Sequence, residues 1–249
     1  MKPVSIIVNT LNRADYLRKI LESFCYLDYG HFEVIVVNGP STDETDDLLR
    51  KWDEKIKIGE CTEANLSMSR NIGIALAAGE FVAFIDDDAI PEPEWLNQAM
   101  DAFEHDEIGA VGGPVYDHTG YTVQSNYVTT NRFGDAFFSS TDPAPHNCYP
   151  GSFEFPHLAG GNVVFRRSAL LDIGGFDEEF QYYLDETDVC LRLVDAGYDL
   201  RQLSNSFVHH KWAPSQIRDH KVPKYRFPIL KSKAYFTHRH AGIYCKREQ

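Results

Sequence analysis

Two apolar periods alternate along the first part of the chain. "VSIIVNT" (residues 4–10) is a short β-branched run that predicts a strand. "DYLRKILESFCYL" (15–27) then spaces Leu17, Ile20, Leu21, Phe24 and Leu27 onto one helical face. "FEVIVVN" (32–38) predicts the next strand, and "STDETDDLLRKW" behind it opens with a Ser/Thr/Asp cluster suited to capping a helix. "LSMSRNIGIALAA" (66–78) predicts a helix ended by Gly79, and "EFVAFI" (80–85) is a nearly continuous apolar run of the kind covered on both faces. Strand, helix, strand, helix, strand in this order predicts an α/β fold with a mostly parallel sheet flanked by helices, because parallel neighbours need crossover connections.

Ligands of open sheets of this kind gather beyond the carboxyl ends of the strands, and each predicted strand here ends in polar residues. They are Asn9 and Thr10, then Asn38, then the run Asp86, Asp87 and Asp88. From about 113 to 157 the pattern breaks into Gly-, Pro-, Tyr-, Phe- and Asn-rich sequence, which predicts irregular loops whose aromatics either fill a small second core or present flat faces to a ligand. Beyond it, "LDETDVCLRLVDAG" (184–197) predicts a helix and "LRQLSNSFVHH" (200–210) a return strand.

The 249 residues suffice for one large domain, or for a ligand-binding half (1–112) joined to a second half (113–215) with a tail (216–249). No run approaches the ~18 apolar residues of a membrane span, and "MKPVSIIVNTLNR" lacks signal-peptide features, so the chain is expected to be cytoplasmic. Five cysteines without a CxxC pair suggest neither a disulfide framework nor a zinc ribbon. The net charge of −13 divides unevenly: residues 201–249 hold 11 Lys and Arg against 2 Asp and Glu, or +9, which leaves −22 for the first 200. A basic tail on an acidic body either meets an anionic surface or docks on the body itself.

Three adjacent carboxylates repel one another unless a cation sits among them. An extended chain sends Asp86 and Asp88 to the same side, and Mg²⁺ or Mn²⁺ is the natural occupant, because hard cations take carboxylate oxygens together with substrate phosphates. The alternative is an acidic cap for the helix that "PEPEWLNQAM" would begin.

"SIIVNTLNRADYL", "EVIVVNGPSTDET", "SMSRNIGIALAAGEFVAFIDDDAIPEPEWL", "AGGNVVFRRSALLDIGGFDEEF", "DETDVCLRL" and "FVHHKWAPS" resemble, in order, the segments of family 2 glycosyltransferases of the GT-A fold, over residues 4 to about 215. The resemblance implies a Rossmann-like nucleotide half, a smaller acceptor-side subdomain, and inverting transfer from a nucleoside-diphosphate sugar to a saccharide or lipid-linked acceptor with a divalent metal. It places Thr10, Asn12, Arg13, Asn38, Ser41, Asp43 and Arg70 around the nucleotide, joined by Asp86 and Asp87. Asp88 becomes the principal metal carboxylate, with Asp86 beside it and a histidine ligand from "FVHH", where the spacing favours His210 over His209. Gly160, Gly161 and Asn162 would line the donor-sugar and acceptor side. The catalytic base maps onto Glu186, with Asp185 in the acidic place before it and Asp188 pairing with Arg192 four residues on. Two departures stand out. "NGPS" puts Asn38 where the family commonly has an aspartate that recognises the base, which leaves uridine, thymidine and guanosine nucleotides open, and "DETD" reverses the usual order of Glu and Asp.

Two other functions are compatible with an acidic α/β site: a sugar-phosphate nucleotidyltransferase, and a carbohydrate-binding relative without catalysis. The first is disfavoured because "NTLNRADYL" has no glycine for a phosphate loop. The tail mixes Lys and Arg with Tyr, Phe, Ile and Leu, so it is expected to meet the inner face of the plasma membrane as a peripheral contact, although Pro223 and Pro228 argue against one long amphipathic helix. Nucleic acid is not an expected partner, because the acidic body would repel its phosphates.

Overall fold

A computed structural model describes residues 1–141, 148–215, 218–219 and 222–242. The first part runs β1 (Val4–Thr10), α1 (Ala14–Ser23), β2 (Phe32–Asn38), α2 (Thr45–Arg50), β3 (Lys57–Glu60), α3 (Leu66–Leu76), β4 (Phe81–Ile85), β5 (Ala89–Pro91), α4 (Trp95–Asp101) and β6 (Ile108–Gly112). Short strands follow: β7 (Val115–Asp117), β8 (Val123–Ser125), β9 (Tyr127–Asn131), β10 (Ala136–Ser139) and β11 (Glu154–Pro156). The chain then forms β12 (Asn162–Arg166), α5 (Arg167–Asp172), α6 (Asp185–Asp195), β13 (Asp199–Gln202), β14 (Val208–His210), β15 (Arg218–Asp219), β16 (Val222–Pro223) and α7 (Phe227–His240).

The main sheet has the order β13-β6-β12-β4-β1-β2-β3. All its strands run parallel except β12, which is antiparallel to both β4 and β6. The predicted spans of β1 and β2 match the observed ones. Their side chains alternate between two layers: Ile6 and Val8 pack with Leu17 and Ile20 of α1 and Trp95 of α4, while Ile7 packs with Ile74 of α3, Leu170 of α5 and Val189 of α6. This three-layer arrangement holds the strand ends, and the polar residues on them, at one rim.

Two expectations differ from the structure, and the course of the tail, which the sequence left open, is decided over its described residues. The segment after 113 contains strands in two small sheets, β5-β14-β7-β8 and β10-β9-β11, whose pieces are too short for a period of two to stand out. The expected strand 200–210 is two strands, because the chain leaves the main sheet after Gln202 and β14 joins the small sheet between β5 and β7. The tail is docked as well as basic. Pro228 sits in the first turn of α7, where its missing N–H costs nothing, so it starts the helix. Phe236 of that helix is fully buried against Phe180, Ser232 Oγ donates to the Tyr182 carbonyl at 2.8 Å, and His240 Nε2 lies 2.7 Å from Asp188 Oδ1. No helix among the described residues is long and apolar enough to cross a membrane.

Gly73 marks the closest approach of α3 to β1: a Cβ there would meet an Ile7 side-chain carbon at 2.6 Å, in a layer where Ile7 is fully buried and has no room to move. Gly73→Val is expected to lower stability by about 3 kcal/mol through overpacking. A fall in melting temperature of about 2–4 °C per kcal/mol, read by calorimetry, checks it.

Candidate active site

The carboxyl ends of β1 and β4, the start of α6 and the segment after β14 enclose a cavity of about 480 Å³. The three consecutive aspartates take different places in it. Asp87 turns inward and is buried, accepting from Thr10 Oγ1 at 2.8 Å and from Arg13 Nη1 at 2.6 Å. Burial pushes its carboxyl up to about 6, with Arg13 and Thr10 pulling the other way and Asp88 adding to the rise. Asp88 is buried too, and its Oδ2 accepts from the Ala213 N–H at 2.6 Å. Its Oδ1 lies 3.2 Å from Arg13 Nη1 and 3.3 Å from His210 Nε2, yet has no hydrogen-bond partner. Burial alone would raise the Asp88 carboxyl, but His210, Arg13 and the Ala213 amide outweigh it and hold the group well below the usual carboxylate range. Asp86 is more open, with Oδ2 3.6 Å from His210 Nε2.

These contacts fit a divalent cation. Asp86, Asp88 and His210 offer ligand atoms that all lie within 4.8 Å of one another. The tautomer of His210 is fixed by Gln124. The Gln124 Nε2 donates to the His210 carbonyl at 2.8 Å, so its Oε1 faces His210 Nδ1 at 2.9 Å and accepts that N–H. In the neutral ring Nε2 then carries the lone pair, buried without a hydrogen-bond partner and aimed at the two carboxylates. Two carboxylate oxygens and an imidazole nitrogen suit Mn²⁺ or Mg²⁺. His209, the other candidate ligand, faces away: neighbours on β14 point to opposite sides, and His209 Nε2 meets Glu92 Oε1 at 2.6 Å.

Adjacent acids divide in the same way at α6. Tyr183 and Leu184 both adopt left-handed backbone, with φ of 73° and 66°, immediately before the helix. Asp185 is thereby buried and paired with Arg70, whose guanidinium also lies on the faces of Phe84 and Phe176. Burial pushes the Asp185 carboxyl up and Arg70 pulls it down. Glu186 lines the cavity, and no cation among the described residues pairs with it. Asp188 faces the other way, held by Arg192 Nε at 2.7 Å and by His240. The expected pairing with Arg192 is therefore present, and Asp188 stands outside the cavity.

Other expected ligand contacts are engaged inside the protein. Arg70 lines the cavity but is occupied by Asp185. Asn162 is fully buried, where Trp95 Nε1 donates to its Oδ1 at 2.7 Å and its Nδ2 donates to the carbonyls of Pro114 and Ser206, so its amide is engaged in the core. Ser41 Oγ donates to Asn38 Oδ1 and Asn38 Nδ2 to Asp46 Oδ1, each at 2.7 Å. Asn12 Oδ1 accepts from the Thr42 N–H at 2.7 Å, and Asp43 accepts from the Ala14 N–H and from Thr45. These four residues shape the loops after β1 and β2. Gly160 and Gly161 are needed for the site's own side chains: a Cβ on Gly161 would lie 2.5 Å from Asp86 Oδ2, and one on Gly160 2.5 Å from Arg70 Nη2. Sequence reasoning missed Gln124, which carries no motif, and Arg218, which lay in the basic tail but lines the cavity with Nη2 4.0 Å from Asp88 Oδ2. Beneath α6, Thr187 Oγ1 lies 3.1 Å from His157 Nδ1, and burial pushes the His157 ring down to about 4 against the opposing charge of Asp185.

A mixed α/β sheet with an acidic, histidine-bearing cluster at its carboxyl rim is the framework of the GT-A glycosyltransferases. The mannosyltransferase PcManGT from Pyrobaculum calidifontis, solved in complex with GDP-Man and Mn²⁺, has this fold with a TM-score of 0.65 at 23% identity, covering 94% of this chain and 70% of that one. S. aureus TarS 1-349, solved in complex with UDP-GlcNAc, matches with a TM-score of 0.63 at 18% identity, over 95% of this chain and 71% of that one. The family model described as "Glycosyl transferase family 2" matches residues 5–174, and the chain belongs to that family. The O-antigen biosynthesis protein RfbC of Myxococcus xanthus is 30% identical over 222 residues, which is 84% of this chain but only 17% of that protein.

Gln124→Ala should leave the fold intact and weaken Mn²⁺ binding by about 10–100-fold, because His210 loses the partner that fixes its tautomer; calorimetric titration with Mn²⁺ reads this. His157 makes a second prediction. Its ring titrates at about 4 when folded and about 6.5 when unfolded, so protons favour the unfolded chain in that window. Its contribution to stability is complete above about 6.5 and is lost as pH falls toward 4. In denaturant titrations across this range, His157→Gln should show a shallower loss of stability toward acid than the wild-type chain.

Proposed function

We propose that the protein is a metal-dependent, inverting glycosyltransferase that moves a sugar from a nucleoside-diphosphate sugar to a hydroxyl of a saccharide or lipid-linked acceptor. The observation that carries this reading is that one cavity is lined by Glu186, a carboxylate without a cationic partner among the described residues, and by Asp86 and Asp88, which converge with His210. Glu186 accepts the proton of the acceptor hydroxyl as that oxygen forms a bond to the anomeric carbon. The bond from this carbon to the diphosphate oxygen breaks on the opposite face, its electron pair leaving with the diphosphate, so the configuration inverts. Asp86, Asp88 and His210 would hold Mg²⁺ or Mn²⁺, which when bound neutralises charge on the departing diphosphate. Arg218 adds a cation at the same rim.

Asp185 does not take the proton in this scheme, because Arg70 engages it; together they fix the first turn of α6 and hence the direction of Glu186. Arg13 plays the corresponding part for Asp87 and Asp88. The nucleotide-sugar complexes of the two structural neighbours support this donor class, and one is a guanosine and the other a uridine nucleotide. The base therefore has to be found by experiment.

In a thermal-shift screen of UDP, GDP and dTDP with Mn²⁺, at least one nucleotide should stabilise the wild-type chain, and Glu186→Gln should keep that stabilisation. With the corresponding donor sugar, the variant should release nucleoside diphosphate about 10²–10⁴-fold more slowly than the wild type. Undiminished turnover in the variant removes Glu186 from the role of base. Pyrophosphate release from a nucleoside triphosphate and a sugar phosphate would replace this reading with nucleotidyl transfer.

A further inference from the structure

Beside the mouth of the cavity is a stretch of surface that this chemistry does not use. Within the nine residues 222–230, Val222 is 67% exposed, Tyr225 65%, Phe227 75% and Leu230 63%. Four large apolar side chains exposed within nine residues of an acidic protein are an apolar surface of the kind that soluble proteins rarely display without a partner. The face of α7 opposite them is fixed: Ser232 and Phe236 are buried, so Phe227 and Leu230, three residues apart, stand on the free side of the first turn. Lys224 and Arg226 are exposed within the same stretch. Further along α7, Lys231 pairs with Glu179, Lys233 with Asp135 and Arg239 with Asp177, whereas Arg226 has no acidic partner among the described residues.

The patch is joined directly to the rim of the cavity. Val222 and Pro223 pair with Asp219 and Arg218 in the hairpin β15-β16, and Arg218 lines the cavity. Lys224 Nζ donates to the carbonyl of Ser215, another lining residue, at 2.8 Å.

We propose that residues 222–230 dock the protein on an anionic lipid bilayer. Tyr225 and Phe227 are the aromatic side chains that settle at the boundary between headgroups and acyl chains, Val222 and Leu230 add apolar area, and Lys224 and Arg226 meet the negative headgroups. The rest of the body carries the excess of acid, so the same surface repels it and only this face turns toward the lipid. A symmetric contact between two copies would place the Lys224 and Arg226 of each on the same patch of the other, where their charges oppose association. Docking in this orientation brings the cavity mouth to the membrane, where a lipid-linked acceptor presents its hydroxyl; that last step rests on the transferase reading, while the docking does not.

The test is co-sedimentation of the full chain with vesicles of phosphatidylcholine alone and of phosphatidylcholine with phosphatidylglycerol, at low and high salt. The wild-type chain should sediment with the anionic vesicles, less so at high salt, and poorly with the neutral ones. The double variant Phe227→Ser, Leu230→Ser should bind at least about tenfold more weakly, since each lost side chain removes buried apolar area worth about a factor of ten. Arg226→Glu should weaken binding to the anionic vesicles only. Thermal melts with nucleoside diphosphate and Mn²⁺ establish that the variants are folded. The proposal is overturned if the wild-type chain fails to sediment, if the variants bind as well as it does, or if light scattering shows that the patch instead holds two copies together and the double variant separates them. Failure of every nucleoside diphosphate to stabilise the wild-type chain would count against the transferase reading and leave the vesicle result standing.

Discussion

One guanidinium reconciles the acids at the end of β4. Arg13 lies 2.6 Å from Asp87 and 3.2 Å from Asp88, two carboxylates that are both buried and would otherwise repel each other at close range. Its Nη2 also donates to the carbonyl of Ala213 at 2.8 Å, so the residue that neutralises the strand end also ties down the segment after β14. A buried ion pair of this kind contributes little to stability by itself, but removing the cation would leave uncompensated charge in the core. The shape of the cavity follows from it: Asp87 is held in, Asp88 is aimed, and the chain at Ala213 is tied to Arg13 and Asp88.

The site is built from neighbours with opposite duties. Asp87 is enclosed while Asp86 and Asp88 converge; Asp185 is paired with Arg70 while Glu186 meets no cation among the described residues; His209 bonds Glu92 while His210 faces the carboxylates. On β14 the cause is the alternation of an extended chain, and after β4 it is a turn in which the Ala89 N–H donates to the Asp86 carbonyl at 3.0 Å. At α6 it is the pair of left-handed residues that turns the chain into the helix. In each case one neighbour is held by partners inside the protein while the other reaches the cluster or the cavity, so the chemistry rests on groups whose positions are fixed from behind.

β1, α1, β2, α2, α3 and β4 were legible because each layer of the sheet imposes its period on the sequence, and β1 and β2 lie where their apolar runs place them, whereas β3, β5 and β6 were not among the expected strands. The choice of His210 follows from the same period, whereas Asp86 and Asp88 converge across a turn after β4 and not along the extended chain expected of them. What was not legible depends on contacts between distant segments. Asn162 reads as a polar residue in a glycine-rich loop, yet its amide joins Trp95, Pro114 and Ser206 in the core. Gln124 belongs to a three-residue strand with no motif, and its role exists only because β14 brings His210 beside it. The docking of α7 on Asp188 and Phe180 could not be separated from a solvated tail by composition, since Lys and Arg suit both.

The Asp88 carboxylate shares its two oxygens between different clients. Oδ2 is bonded to the Ala213 N–H, whereas Oδ1 stands open toward His210. One rigid carboxyl plane therefore serves as floor on one side and as anchor for the chain at Ala213 on the other, so that the two edges of the cavity are set from a single side chain.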